Sequence, residues 1–482
     1  MTAPDLSRYN PPGVYTSATP GPQISVQSAT PSAVGIFGVG RGYQTDLQTI
    51  TIPDDDGGNP VASAVLRRHG LILDSIVVTD ATTGTVYTQQ STTSPPNGDY
   101  AVVSTTGPSG VSGGFDSSYQ IVRVLGGLLA AGAQVQVSFH YTDENYYLPH
   151  RIYDFQDAES LFGPALNTDG TVASELTLAC SFAFLNGART IVAAAVKNPN
   201  SPQVSDYRDA LATFEGILDI SVVVCANGSS GLHTAVRDHV VSQSSARAER
   251  KAILGVDGSS TAIDSSTLIS YAQAIESSRV ALVSPAVVNY YNTSLNKTVV
   301  LGGQYLAAAL AGVAVSLSPA TPLTRKQVLG FASVPNAADA QKSRETQGGL
   351  LVIDSLNNTG SLRVRHGVTT DPSSIVTREW SILSQQDAMS FRLRSFFDTD
   401  GIIGSIITDT TMANVKASAE SALQSLIADQ SIASYQGLTV RQSSTNLDVV
   451  QISFAWKASL PLNYIVVQFT LDVTSGDTTT TI

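Results

Sequence analysis

The residues that could do chemistry in this chain are few and scattered. The best candidate phosphate cradle is Ala226-Asn227-Gly228-Ser229-Ser230-Gly231, which follows a strand-like run and opens a helix. Backbone N–H groups at such a helix start can hold an anion. The stretch has neither G-x-G-x-x-G nor Gly-Lys-Ser/Thr, and small residues suit any tight turn there. Gly35, Gly38, Gly40 and Gly42 lead into no helix and suit close packing. The six histidines are His69, His140, His150, His233, His239 and His366, and none stands four residues from another. His233 and His239 would face apart on a helix. No H-E-x-x-H and no Cys/His zinc pattern occurs. Asp54-Asp55-Asp56 and Asp398-Thr399-Asp400-Gly401 lack the later Glu of a calcium loop. The G-x-S-x-G spacing at Gly110 to Gly114 falls in the glycine-rich turn SGVSGG with no helical pattern after it, so it does not read as a nucleophile elbow. Triads need no sequence proximity, so these gaps weaken the case for catalysis without closing it. No cofactor and no metal are implied.

Composition bounds the rest. The chain has 482 residues, enough for two to four domains. Hydrophobic residues make up 42% and charged residues 14%, the latter well below the roughly 25% of an average soluble chain. A polar but weakly charged surface suits extended contact between like subunits. The net charge is −12, with no basic patch of the kind that nucleic-acid binding requires. Cys180 and Cys225 sit in apolar runs and read as buried, inert thiols. The opening MTAPDLSRYNPPGVY has no basic and apolar regions of a signal peptide. Val299 to Leu317 could span a bilayer by length, but its Ala, Gly and Gln304 make it a helix packed closely on a sheet. No membrane insertion is expected.

The elements that would position any site fall into blocks. Residues 1–30 hold Pro11, Pro12, Pro20 and Pro22 and read as an extended arm with apolar residues in strand-like pieces. Residues 31–44 carry a first core strand (AVGIFGVG) and a linker. Residues 45–148 hold short strands separated by DDDGGN, ATTG, SPPNGD and SGVSGG, which predicts an inserted small β sandwich or barrel. Residues 149–335 alternate β-branched runs (TIVAAAV, ISVVVCA, KAILGV, RVALVS) with helical patterns, which predicts βαβ units and a mostly parallel sheet. Residues 336–460 read as an α+β domain, with helices near 375–397 and 411–429 and with Asp409 or Thr410 as the second cap. Val450, Ile452, Phe454 and Trp456 share one face of a strand. It is expected to form a closing hairpin with Tyr464 to Val473, within a C-terminal strand and arm over 461–482. The fold class is a multidomain α+β, α/β chain with extended terminal arms.

Several short stretches, in this order, resemble the sheath proteins of contractile tails of bacteriophages and related injection machines. They are Pro12-Gly13-Val14-Tyr15; Tyr153-Asp154-Phe155 with Leu161-Phe162-Gly163; Phe182 to Arg189; Arg279 to Pro285; and Pro461-Leu462-Asn463-Tyr464-Ile465. Ala188 stands where the family has a second glycine, and the expected signatures after residue 340 are blurred. The resemblance covers about two thirds of the chain and leaves out 45–148, which fits a variable outer domain.

The resemblance implies a structural subunit and no enzyme. Such subunits polymerise helically around an inner tail tube and contract to drive it through the host envelope, delivering a genome. Their arms add strands to neighbours: here Pro12, Gly13, Val14, Tyr15, Ile24 and Val26 at one end, and Tyr464, Ile465, Val467, Phe469 and Leu471 at the other. The C-terminal domain would face the tube, with Arg378, Arg392 and Arg394 as candidate contacts. Implied partners are further copies of the chain, the inner tail tube protein, and baseplate and tail terminator proteins. The implied location is the virion tail, assembled in the host bacterial cytoplasm. Two other classes stay open: a different virion protein such as a capsid or baseplate component, or an α/β enzyme with an accessory β-domain.

Overall fold

The computed structural model describes residues 31–63, 65–66, 71–90, 98–105, 118–142, 145–293, 295–355, 361–399 and 402–469. The N-terminal arm residues Pro12, Gly13, Val14, Tyr15, Ile24 and Val26, and Leu471 at the other end, lie outside them.

β1 (Ala33–Gly38) is buried along its whole length. The chain then leaves the core as β2 (Gln44–Thr51), β3 (Leu71–Asp80), β4 (Val86–Tyr87), β5 (Tyr100–Thr105), β6 (Ser118–Arg123) and β7 (Gln134–Tyr141). An antiparallel sheet in the order β2-β7-β3-β4 stands beside the β5–β6 pair. Alternate residues of β7, namely Val135, Val137 and Phe139, are buried with Ile50, Val78, Tyr100 and Ile121 from both sheets. That is the period-2 pattern of strands with one face on a core. This is the inserted all-β unit of the expected fold class.

The chain returns through β8 (His150–Ile152), α1 (Phe155–Phe162), α2 (Glu175–Leu185), β9 (Ile191–Ala195), α3 (Val204–Ala212), β10 (Ile220–Cys225), α4 (His233–Ser245), β11 (Lys251–Leu254), α5 (Ser265–Ile275) and β12 (Val280–Ser284). Next come β13 (Val287–Asn292), β14 (Lys297–Gly302), α6 (Gly303–Ser316), β15 (Gln327–Val328), α7 (Asp339–Gln347), β16 (Leu350–Ser355) and β17 (Leu362–Val364). A nine-stranded sheet collects them in the order β15-β17-β16-β12-β11-β10-β1-β9-β8. Every neighbouring pair from β16 to β9 is parallel. The pairs at both edges are antiparallel.

Parallel strands need cover on both faces, and alternation along each strand divides them here. Val34, Ile36, Ile191, Ala193, Val222, Val224, Ile253, Ala281 and Val283 pack with α2 and α6. Their neighbours Ala33, Phe37, Val192, Ala194, Val223, Cys225, Ala252, Leu254, Val280 and Leu282 pack under α3, α4 and α5. α6 is the Ala-rich helix expected within 299–317, shortened because Lys297–Gly302 forms β14. α2 gives no periodic signal because it is buried nearly all round, including Leu176, Ala179, Cys180 and Ala183. Burial pushes the thiols of Cys180 and Cys225 well above their ordinary pKa.

α8 (Ile375–Arg378) and α9 (Trp380–Thr399) replace the single helix expected over 375–397, because Glu379 leaves helical geometry at φ −83° and ψ 114°. α10 (Asp409–Ala428) is capped by Thr408, whose side chain accepts from the Thr411 N–H at 3.1 Å, and not by Asp409 or Thr410. β18 (Ser434–Gln442) and β19 (Val450–Lys457) pair antiparallel. This corrects the expected hairpin: β19 pairs with an upstream strand, and residues 458–469 form no strand. SYQGLTVRQ is polar and interrupted by Gly437 at φ +68°, so it lacks a strand signature. The turn behind it is closed by the Ser443 side chain, which accepts from the Asn446 N–H at 3.1 Å. The link through Pro461 has no comparable closure.

Two predictions follow from this packing. A Cβ on Gly312 of α6 would lie 2.2 Å from the Ala183 carbonyl oxygen of α2. Gly312→Ala gains roughly 1 kcal/mol of helix propensity against about 2–3 kcal/mol of overpacking. Urea denaturation should therefore show a net loss of about 1–2 kcal/mol. The second concerns His239 and His233, whose pKa values burial pulls down to about 4, with the Arg250 charge adding to the effect at His239. Below about pH 6.5 the unfolded chain takes up protons that the folded one refuses, so stability falls as pH drops toward 4. Thermal melting across pH 7 to 4 should show this fall, and His239→Gln should reduce it.

Candidate assembly interface

The C-terminal helices are held to the core by charge. On α9, Trp380, Ser384, Asp387 and Arg394 recur at helical spacing and so share one face. That face meets the N-terminal ends of β11 and β12. Arg279, just before β12, makes a two-pronged pair with Asp387, with donor distances of 3.1 and 3.0 Å. Lys251 donates to Ser384 Oγ, and its Nζ lies 4.3 Å from the Trp380 ring centroid. Arg394 pairs with Glu249, with Nη1 to Oε1 at 2.7 Å, and also donates to the Arg247 carbonyl at 3.3 Å. Burial pulls the Lys251 pKa down to about 8, partly offset by Asp387. Burial also raises the Asp387 carboxyl, against the pull of Lys251 and Arg279.

The opposite side of α9 packs on α10 and the hairpin. Met389, Leu423, Leu426 and Ile432 form a small core, with Leu393, Tyr435, Leu438, Phe454 and Trp456 partly covering it. Val415, Ala419, Leu423 and Leu426 of α10 are buried at helical spacing. Arg392 fastens the two helices, donating to Ser425 Oγ and, at 2.9 Å, to Asp429. The candidate arginines thus have partners within the chain. Arg392 and Arg394 brace helices, and Arg378 lies 3.4 Å from Glu379. Sequence spacing does not show these pairings, because Glu249 stands 145 residues from Arg394.

Apolar exposure collects in the same part of the molecule. Val450, Ile452, Phe454 and Trp456 alternate with exposed residues along β19, yet none of the four is fully buried. Ile403 and Ile406 project between α9 and α10, and Leu447 projects at the hairpin turn. Among the described residues, 458–469 have no ladder partner, and Ile465, Val467 and Phe469 are 77%, 76% and 90% exposed. Among the described residues the outer edges of β18 and β19 are unpaired as well. A two-stranded sheet is only marginally stable alone. Unpaired edges and an exposed β-branched segment are the two halves of strand addition.

The loop after β10 forms a short 3-10 turn at Ser230–Leu232 before α4, and Asn227 uses its side-chain oxygen to accept from the Ser229 N–H at 3.0 Å. Its Nδ2 donates to Tyr207 Oη at 2.9 Å and to Glu175 Oε1 at 3.3 Å, so the side chain is spent within the chain. Among the described residues no group of three or more His, Cys, Asp or Glu could hold a metal. No described helix is long and apolar enough to cross a membrane.

The fold defines a class: a doubly covered α/β core with an inserted β unit, carrying unfinished strand edges on a C-terminal helical unit. No family model matches the chain. A curated relative, the tail sheath protein of Mycobacterium phage Bxz1, is 36% identical over 581 aligned positions, covering 99% of this chain and 98% of the relative. The chain belongs to the tail sheath proteins. In the solved structures, the contracted helical sheath of the anti-feeding prophage shares the fold at a TM-score of 0.54 and 15% identity, over 69% of this chain and 90% of that one. A chain of the same particle's baseplate matches at 0.52 and 16%, over the same shares.

The clamp on α9 gives a test of what joins the two parts. Asp387→Leu should cost about 3 kcal/mol in urea denaturation, because it strands the largely desolvated Arg279 guanidinium. Arg279→Met with Asp387→Leu should recover most of that loss.

Proposed function

We propose that this chain is the structural subunit of a contractile tail sheath, polymerising helically around an inner tail tube. The observation that carries the reading is the near full-length identity to a phage tail sheath protein. The exposed, unpartnered segment over 465–469 and the open edges of β18 and β19 support it, since both are completed when copies exchange strands. A head-to-tail contact that does not close into a ring generates a helix. Contraction then drives the tube through the host envelope for genome delivery. Its energy comes from interfaces gained between copies, with metastability held kinetically.

In this reading the chain has no enzymatic role. Its partners are further copies, the tube protein, the baseplate and the tail terminator, and it resides in the virion tail after assembly in the host bacterial cytoplasm. The arms act through Val14, Tyr15, Ile24 and Val26 at one end and Ile465, Val467, Phe469 and Leu471 at the other. The α9–α10 unit faces the tube. Arg378, Arg392 and Arg394 contribute only through donors left over from their pairs within the chain.

Negative-stain electron microscopy of the purified protein tests this. Long, regular, hollow tubes are expected, and deletion of residues 1–22 or 465–482 should abolish them while the melting temperature stays within a few degrees. Monomers at every salt and protein concentration, with or without the tube protein as template, would overturn the reading.

A further inference from the structure

We infer that Glu379 and Gln385 fix the root of the C-terminal segment to its own subunit, so that the part able to pair elsewhere begins at Ile465. The anchor stands on the geometry of the single chain. Only the identity of the later partner, a second copy, rests on the sheath reading.

The segment after β19 changes character at Tyr464. Before that point it is tied down. The Gln385 side chain grips Ser459 from both sides: Nε2 donates to the Ser459 carbonyl at 3.0 Å, and Oε1 accepts from the Ser459 N–H at 2.7 Å. Gln385 is fully buried on α9, so this grip is part of the core. Four residues on, Asn463 Nδ2 donates to Glu379 Oε1 at 3.1 Å. The same oxygen lies 2.8 Å from His366 Nε2. Glu379 is 1% exposed and sits where α8 breaks from α9, its backbone bridged to Val368. Ser459, Pro461 and Asn463 turn toward the protein, and Leu460 and Leu462 turn outward. The last contact is the Tyr464 ring, edge-on to His366 at 6.4 Å.

Beyond Tyr464 the described residues are all exposed, on both faces of the chain. Asn463 and Tyr464 line an open cavity of about 770 Å³, together with Arg325, Arg363, Arg365 and His366. This gives the segment room to change direction without displacing packed side chains. The pivot therefore lies between a buried carboxylate and the first unsupported residue. Buried Glu379 Oε2 and Asn463 Oδ1 have no hydrogen-bond partner, so the anchor is polar and partly satisfied where an apolar plug would be fixed. At Asn463, which is only half-buried, it can be loosened by one substitution without opening a cavity in the core.

Spin labels on the full chain test this, since the buried Cys180 and Cys225 leave introduced thiols as the reactive ones. Leu462→Cys and Val467→Cys place labels on either side of the pivot. In the unassembled protein the label at 462 should tumble several-fold more slowly than the one at 467. Asn463→Ala, Gln385→Ala or Glu379→Ala should make 462 as mobile as 467, with an unchanged urea midpoint for Asn463→Ala. Glu379→Gln, which keeps an oxygen for Asn463, should restore order. On tube formation only the 467 label should become immobile. Equal mobility at 462 and 467 in the parent chain, or a 462 label unmoved by all three alanine variants, would overturn the anchor. An ordered 462 label in a protein that never forms tubes would leave the anchor standing and sink the sheath reading instead.

Discussion

A parallel sheet cannot leave either face in water, and the rest of this structure follows from that constraint. Strands joined by crossovers present apolar residues alternately up and down. One face here is closed by α2 and α6, the other by α3, α4 and α5. The first face is closed tightly enough that Gly312 meets the Ala183 carbonyl with no space for a methyl group. With both faces taken, anything added to the core must attach at a strand end or edge. The inserted β unit leaves after β1 and returns at β8, the edge strand of the sheet. The C-terminal helices attach at the starts of β11 and β12.

That second attachment is ionic where the core is apolar. Arg279, Asp387, Lys251, Glu249 and Arg394 join α9 to the sheet, beside a Trp380 that packs into the main core. Paired charges fix orientation because they tolerate little displacement, whereas an apolar contact can slide. A subunit that passes force between its tube-facing and outer parts, as proposed for this one, benefits from such a joint. The arginines on α9 serve first as struts.

The C-terminal unit is left unfinished. Its small core is built from Met389, Leu423, Leu426 and Ile432, and the apolar face of β19 is only partly covered. The segment that follows is anchored through Asn463 and then exposed. An isolated chain thus exposes apolar side chains and open edges, which in the proposed sheath a neighbouring copy would cover.

The sequence by itself determined whatever depends on local period. Core strands such as AVGIFG and ISVVVC are legible because strands buried on both faces must be continuously apolar, and β19 is legible because its face alternates. The inserted β unit is marked by its turns, and the sheath resemblance by short ordered stretches. Tertiary structure decided the rest. α2 carries no helical stripe because neighbours surround it. β18 carries no strand signal because its polar residues face outward and Gly437 interrupts it, and it is placed by packing Tyr435 and Leu438, beside Phe454 and Trp456 of β19, on the small core of α9 and α10. Arg394 meets Glu249, and Asn463 meets Glu379, across 145 and 84 residues. Such pairings are fixed by where the fold brings the chain back, and spacing along the sequence carries no record of that.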